Sequence, residues 1–308
     1  MRRLLLFFCM GISSLTFAQS VTDGLMMPKR TICTGFLYTH DQWTDYWEGG
    51  LKRDNENIGT ITTKSIMWVA NWGVTDKLNF IAMLPRVETK ASQGTLSGME
   101  GIQDLSLSLK YNFFKKTIGP GEFKGIGVLS YSTPVTDYTP DFLPLSIGMA
   151  TKNISWRLTA NYALENGFYV NASGAYTWRS NTEIDRPSYF TNGQMYTSNE
   201  VEMPNVFDYV VNVGYHKGNF QGDVYYTQQN TLGGGDIRRQ DMPFVSNRMN
   251  FSKVGAFIMY YVPKIKGLGV RAGGTVTVDG RNVGNATTVQ GGLLYIIDFR
   301  KSTNLSEK

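Results

Sequence analysis

Phe168-Tyr169-Val170-Asn171-Ala172-Ser173-Gly174-Ala175-Tyr176-Thr177-Trp178-Arg179 is the stretch whose reading decides the fold. Its even-numbered residues are apolar or small, whereas its odd-numbered residues include Asn171, Ser173, Thr177 and Arg179. A period of two is that of a strand whose side chains point alternately to two faces. We assign Phe168, Val170, Ala172, Gly174, Tyr176 and Trp178 to a lipid face, and Tyr169, Asn171, Ser173, Ala175, Thr177 and Arg179 to a lumen. The same alternation sets Leu105, Leu107, Leu109, Tyr111 and Phe113 against Asp104, Ser106, Ser108, Lys110 and Asn112. It also sets Trp156, Leu158, Ala160 and Tyr162 against Ser155, Arg157, Thr159 and Asn161.

Working outward, the pattern recurs in about twelve segments: 30–40, 60–73, 78–88, 100–114, 122–134, 152–164, 167–179, 205–216, 219–230, 250–262, 267–278 and 286–299. A soluble sandwich would alternate as well, but the links between segments separate the two architectures. Short links at 74–77, 115–121, 165–166, 217–218 and 263–266 alternate with longer ones at 41–59, 89–99, 135–151, 180–204 and 231–249, and a sixth at 279–285. Transmembrane barrels sort their connections this way, with short periplasmic turns and long extracellular loops. The fold class is therefore all-β: a transmembrane antiparallel up-and-down β-barrel of about 12 strands. Aromatic residues near segment ends, such as Trp72, Tyr111, Phe113, Trp156, Trp178, Tyr260 and Phe299, suit interfacial girdles.

The amino terminus supplies the compartment. Arg2 and Arg3 precede the apolar run Leu4 to Met10, and Thr16-Phe17-Ala18 ends it with a small residue. These are the parts of a secretory signal peptide, expected over 1–18 with cleavage after Ala18. Phe8 before Cys9 argues against a lipoprotein site. Without Arg2 and Arg3, the 30 Lys and Arg fall to 28 against 25 Asp and Glu, a balance of about +3. The basic residues are scattered, so nucleic-acid binding is not expected. Cys33 is the one remaining cysteine of two, which excludes a disulfide framework. No later stretch reaches the eighteen or so apolar residues of a membrane helix.

The expected organisation is a signal peptide at 1–18, a short periplasmic segment at 19–29, a barrel at 30–299 and a polar tail at 300–308. An even strand count puts both termini in the periplasm, and closure leaves no unpaired edge in lipid. Twelve strands spaced about 4.8 Å and tilted about 40° close at a backbone radius near 12 Å. Side chains then leave an opening on the order of 10 Å.

The segment Gly101-Ile-Gln-Asp-Leu-Ser-Leu-Ser-Leu-Lys-Tyr111 resembles the phenol-degradation-pathway (MetA-pathway) family of outer-membrane barrels, whose strands carry a similar Gly-x-x-Asp-Leu, alternating-Leu, Lys-Tyr pattern. The small-residue strand Gly125 to Pro134, and the strand Trp156 to Tyr162 leading through Asn166-Gly167 into another strand, extend the resemblance over roughly 60–299. It implies a transporter related in architecture to the long-chain fatty-acid channels, without fixing a solute. Those channels carry a sizeable amino-terminal plug. Here only about eleven residues precede the first strand, so any plug is small or comes from an inward-folded loop.

Little in the chain speaks for catalysis. His40 and His216 fall at opposite ends of the barrel, separated by a hydrocarbon layer of roughly 25 Å, and neither adjoins a nucleophile. No enzyme activity, cofactor or metal is expected. Gly267-Leu-Gly-Val-Arg-Ala-Gly273 lacks the spacing and following helix of a nucleotide loop, so its glycines belong to the wall. Gly233-Gly-Gly-Asp236 reads as a flexible outer loop. Asp41, Asp45, Glu48, Asp54 and Glu56 form an acidic set at the lipopolysaccharide surface, more simply a solvated loop than a cation site.

Charges at inward positions are more informative: Lys110, Arg157, Arg179 and Arg271, with Asp104, Asp208, Asp223 and Asp298. Single charges inside a barrel must be paired or hydrated. Either they line a wet, selective pore or they staple the wall as ion pairs. Ile81, Met83, Ile126, Val128, Phe257, Met259, Leu294 and Ile296 are apolar at inward phase and would suit a hydrophobic or aromatic solute. The expected function is diffusion of a small solute across the bacterial outer membrane, with membrane lipid and lipopolysaccharide as surroundings. A closed structural or adhesive barrel is the alternative, and the oligomeric state is left open.

Overall fold

The computed structural model describes residues 20–191, 193–238 and 241–300. The expected signal peptide and residues 301–308 of the tail lie outside the described residues. Twelve long strands form the wall: β1 Thr31–Trp43, β2 Ile61–Gly73, β3 Leu78–Ala91, β4 Asp104–Ile118, β5 Gly121–Pro134, β6 Asn153–Leu164, β7 Phe168–Arg179, β8 Val206–Lys217, β9 Phe220–Thr231, β10 Asn250–Tyr261, β11 Leu268–Arg281 and β12 Thr287–Asp298. Each is antiparallel to its sequence neighbours, and pairing of Thr31 with Asp298 through Gln42 with Thr287 closes β1 onto β12. Every one of the twelve expected segments is a wall strand, several of them longer at the outer end than the alternation suggested.

The two faces are those read from the sequence. On β7, Phe168, Val170 and Trp178 are exposed whereas Tyr169, Asn171 and Ser173 are buried. Across the wall, Phe36, Leu129, Trp156, Leu158, Val224, Ile258 and Leu293 are each exposed by 45% or more. In water such a band would drive aggregation; in hydrocarbon it is the solvated surface. Aromatic side chains gather at both ends of this band. Phe168 and Tyr215 lie 5.0 Å apart near the turns, and Tyr176 and Trp178 lie 4.7 Å apart near the loops. Even the Trp68 indole N–H, on the lipid face, is satisfied by donation to Thr34 Oγ1 at 3.1 Å.

The short connections, the start of β1 and the end of β12 share one end of the barrel. Gly167 turns the chain at φ +105°, and a Cβ there would meet the His216 carbonyl oxygen at 2.9 Å, so glycine is required. One feature escaped the alternation. A bulge between Asn112 and Phe114 in β4 adds a residue, so Phe113 and Phe114 are both exposed.

At the opposite end the long links are not simply polar. Ile184, Tyr189, Val201, Met203 and Val245 form a buried apolar cluster, with Leu143, Met149 and Phe244 packed against it. The glycine-rich link expected to be flexible is pinned. Asp236 accepts from Arg281 Nε at 2.8 Å and Nη2 at 2.6 Å, and from Asn282 Nδ2 at 2.7 Å. The acidic set is solvated and partly paired, Asp45 with Lys52 and Glu48 with Arg53. Among the described residues no group of three or more His, Cys, Asp or Glu side chains is placed to hold a metal.

Candidate functional site: the lumen

The inward faces divide the lumen into two sectors. Cys33 and Leu37 of β1, Met259 and Tyr261 of β10, and Leu294 and Ile296 of β12 form one apolar cluster, joined by Phe257. Around the wall from β4 to β9, inward residues are mostly polar: Ser108 meets Ser130 at 2.7 Å, Thr159 meets Ser173 at 2.9 Å and Asn161 meets Asn171 at 2.7 Å. Ile126 and Val128 of β5 also point inward, but they are fully buried within this polar sector.

The apolar cluster contains a residue that does not belong to the wall. Met27 is fully buried among these side chains, because the described part of the amino-terminal segment, from Ser20, enters the barrel rather than hanging below it. Asn79 Nδ2 of β3 donates to the Met27 carbonyl at 3.4 Å, and Thr31 Oγ1 holds the Pro28 carbonyl at 2.5 Å. Further up, Lys110 Nζ donates to Asp23 Oδ1 at 2.7 Å and to the Ser20 carbonyl at 2.8 Å. A buried ammonium without such partners would cost several kcal/mol.

Each inward charge anticipated from the sequence has a distinct setting. Arg157 pairs with Asp208 and also donates to Ser173 Oγ at 3.0 Å. Asp104 accepts from Tyr138 Oη, a loop residue, at 2.6 Å. Burial, then the Asp104 carboxylate, holds the Tyr138 phenol well above its ordinary pKa, so it remains a donor. Asp223 accepts from Tyr169 Oη at 2.9 Å and Asn212 Nδ2 at 2.6 Å. Arg271 stacks over Phe257, 4.2 Å from the ring centroid. Asp298 sits at the turn end paired with Arg300, away from any mid-lumen cluster. Arg179 makes no side-chain ion pair among the described residues. Lys110 is spent on the amino-terminal segment rather than bared to a pore.

Above the segment lies a cavity of about 500 Å³. Polar wall residues, among them Ser106, Ser130, Asn153, Thr177 and Arg179, line one side. Leu143, Ile147 and Met149 of the folded-in loop line the other. Below the segment a second cavity of about 630 Å³ is bounded by Leu25, Met26, Lys77, Lys124 and His216.

Closure of the sheet, the apolar outer band and a lumen of this kind define the class: an outer-membrane channel-like β-barrel of a bacterium. The chain belongs to the family described as "Putative MetA-pathway of phenol degradation", which matches residues 57–290. Among solved structures, the COG4313 outer membrane channel from Pseudomonas putida F1 superposes with a TM-score of 0.69 at 13% identity, covering 88% of this chain and 97% of that one. The NanC porin gives 0.47 at 8% identity, covering 84% and 98%. The translocator domain of the autotransporter NalP from Neisseria meningitidis gives 0.46 at 10%, covering 85% and 88%. These are similarities of fold. A comparison with curated proteins finds no match.

Asp23, Tyr138, Tyr169 and Asn212 carry the settings of the inward charges; of these only Tyr169 was placed on the lumen face from the sequence, and without a role. Ser20-Val-Thr-Asp-Gly24 does have the composition of a turn, which is the one signal that could have marked Asp23.

Proposed function

We propose that this barrel lets a small organic solute cross the outer membrane by diffusion, and that the solute carries an anionic or electron-rich group on an apolar or aromatic body. The supporting observation is the outer cavity. Its wall offers hydroxyls and the Arg179 guanidinium, while its loop side offers Leu143, Ile147 and Met149. A guanidinium stays charged and matches carboxylate or phenolate geometry, and apolar side chains opposite would take a ring. The neighbouring acids Asp104 and Asp208 are engaged by Tyr138 and Arg157, which leaves Arg179 to face the solute.

Liposomes carrying the folded protein should admit an aromatic acid such as benzoate faster than a neutral sugar of similar size. Planar bilayers should show channel currents. Neither entry nor current above protein-free controls would leave the second reading, a closed structural barrel, which the segment filling the lower lumen favours.

A further inference from the structure

We infer that the mid-lumen holds a carboxylate-binding site centred on Lys110, which the protein occupies with its own Asp23, so that an organic anion exchanging with Asp23 frees the amino-terminal segment and joins the two cavities. The inference rests on the channel reading above.

The Lys110 side chain is fully buried, and its two partners, the Asp23 carboxylate and the Ser20 carbonyl, both come from the amino-terminal segment. The wall supplies Lys110 with no acid among the described residues. Arg271 lies near enough to couple electrostatically to Asp23 as well as to Asp223, and Lys124 acts on Lys110 as a like charge. Lifting the segment away would therefore leave Lys110 with no acid partner, beside Arg271 whose nearby acid is Asp223; Lys124 keeps its own partner, Glu122, at 3.1 Å. A low-dielectric site of that sign binds an anion.

The segment is shaped to deliver a carboxylate to this place. Asp23 Oδ1 also accepts from the Leu25 backbone N–H at 2.9 Å, and Oδ2 accepts from the Ser20 backbone N–H and from Ser20 Oγ. Gly24, the next residue, lies so close to Asn161 that any Cβ would collide with that side chain. Around the segment's tip, several wall side chains keep unused polar atoms. Asn161 Oδ1, Asn171 Nδ2, Asn212 Oδ1 and Arg271 Nε are buried without a protein partner. Such atoms are those that a hydrating water or an incoming oxyanion would satisfy. Leu25 and Met26 of the segment line the cavity of about 630 Å³ at the turn end, and the cavity of about 500 Å³ lies toward the loops, lined by the outer halves of the strands. Lys110 lies on the same inward face of β4 as Ser106, which lines the outer cavity, so a carboxylate descending from that cavity would reach the ammonium once the segment moves.

The test uses the full-length protein with Asp23→Asn and Lys110→Met, together with Ser20→Cys as a reporter. Cys33 is buried, so a membrane-impermeant maleimide reads Ser20→Cys. In the reporter background, Asp23→Asn should raise the labelling rate about fivefold or more. Benzoate should accelerate labelling when Asp23 is present and Lys110 intact. Asp23→Asn should also raise conductance while keeping anion preference, whereas Lys110→Met should raise conductance and lose that preference. If Lys110→Met fails to assemble, labelling of the Asp23→Asn protein decides alone, because that change lies off the wall. Labelling and conductance unmoved by Asp23→Asn, in a protein that still conducts, would overturn the exchange site and spare the channel. Faster labelling without current in any variant would instead overturn the channel.

Discussion

At the scale of single residues, the wall makes a strict distinction between neighbours. Leu158 is 45% exposed on the lipid face, whereas Ser155 of the same strand faces the outer cavity. Leu158→Lys should cost about 2–4 kcal/mol if its depth is near the midplane, and Ser155→Lys should be milder because water reaches it. Urea midpoints read from heat-shifted gel bands measure both; equal losses would refute the two-face assignment. Arg157 and Asp208 make a second test. Their side chains are 11% and 19% exposed, so the pair is only partly screened. Arg157→Met should lose about 1–3 kcal/mol by leaving Asp208 uncompensated, and adding Asp208→Leu should recover much of it. The inward phase of Arg157 was legible because a period of two needs only adjacent residues. Its partner was not. Asp208 is 51 residues away, across β7, and only the register of three strands brings the two together.

At the scale of elements, alternation and link length carried the twelve strands, since hydrocarbon outside and water inside impose opposite demands on successive side chains. The links obey no such period, and there the sequence said less. Their apolar residues, Ile184, Tyr189 and Val245 among them, are scattered through polar chain and meet only after the loops fold over one another. The same holds for Ser20 to Pro28, too short to show a pattern and ordered by side chains from distant strands. Two expectations belong to this scale. An epitope inserted at Gly193, whose surroundings are open and whose hairpin lies on the long-loop side, should be labelled on intact cells. Labelling only after permeabilisation would invert the barrel. The second concerns the pin on the glycine-rich loop. Hydrogen bonds from Arg281 hold the Asp236 carboxyl below the usual carboxylate range. A depressed folded value means the pin's contribution is present above the ordinary carboxylate pKa and is lost as pH falls through the lowered one. Protease nicking of 232–249 should therefore rise only in that acid window, and Asp236→Asn should show the raised rate at neutral pH. A loop equally protected in the variant would mean the pin is idle.

At the scale of the whole molecule, the lumen is a sequence of charge settings, and selectivity depends on which charges are free rather than on how many there are. Four inward cations were read from the sequence as selectivity candidates. Lys110 is held by Asp23, Arg157 by Asp208, and Arg271 stacks on Phe257 beside Asp223. Arg179 alone faces the outer cavity without an ion pair among the described residues. Reversing Arg157 would thus put a second acid beside Asp208 and mix selectivity with instability, whereas reversing Arg179 changes the field in the cavity without orphaning a partner. Arg179→Glu should move the reversal potential in a salt gradient toward cation preference and slow benzoate entry severalfold, while leaving the urea midpoint near that of the parent. Because the cavity is wet, the shift should shrink as salt rises and the Debye length falls from about 10 Å at 0.1 M to about 3 Å at 1 M. The apolar sector makes a contrasting control. Met259 is fully buried against Met27, so Met259→Asp should loosen the amino-terminal segment and raise conductance to every solute, rather than slow hydrophobic ones selectively. A reversal potential unmoved by Arg179→Glu in folded, conducting protein would place the selective step below the outer cavity, among Lys110, Arg271 and the segment that covers them.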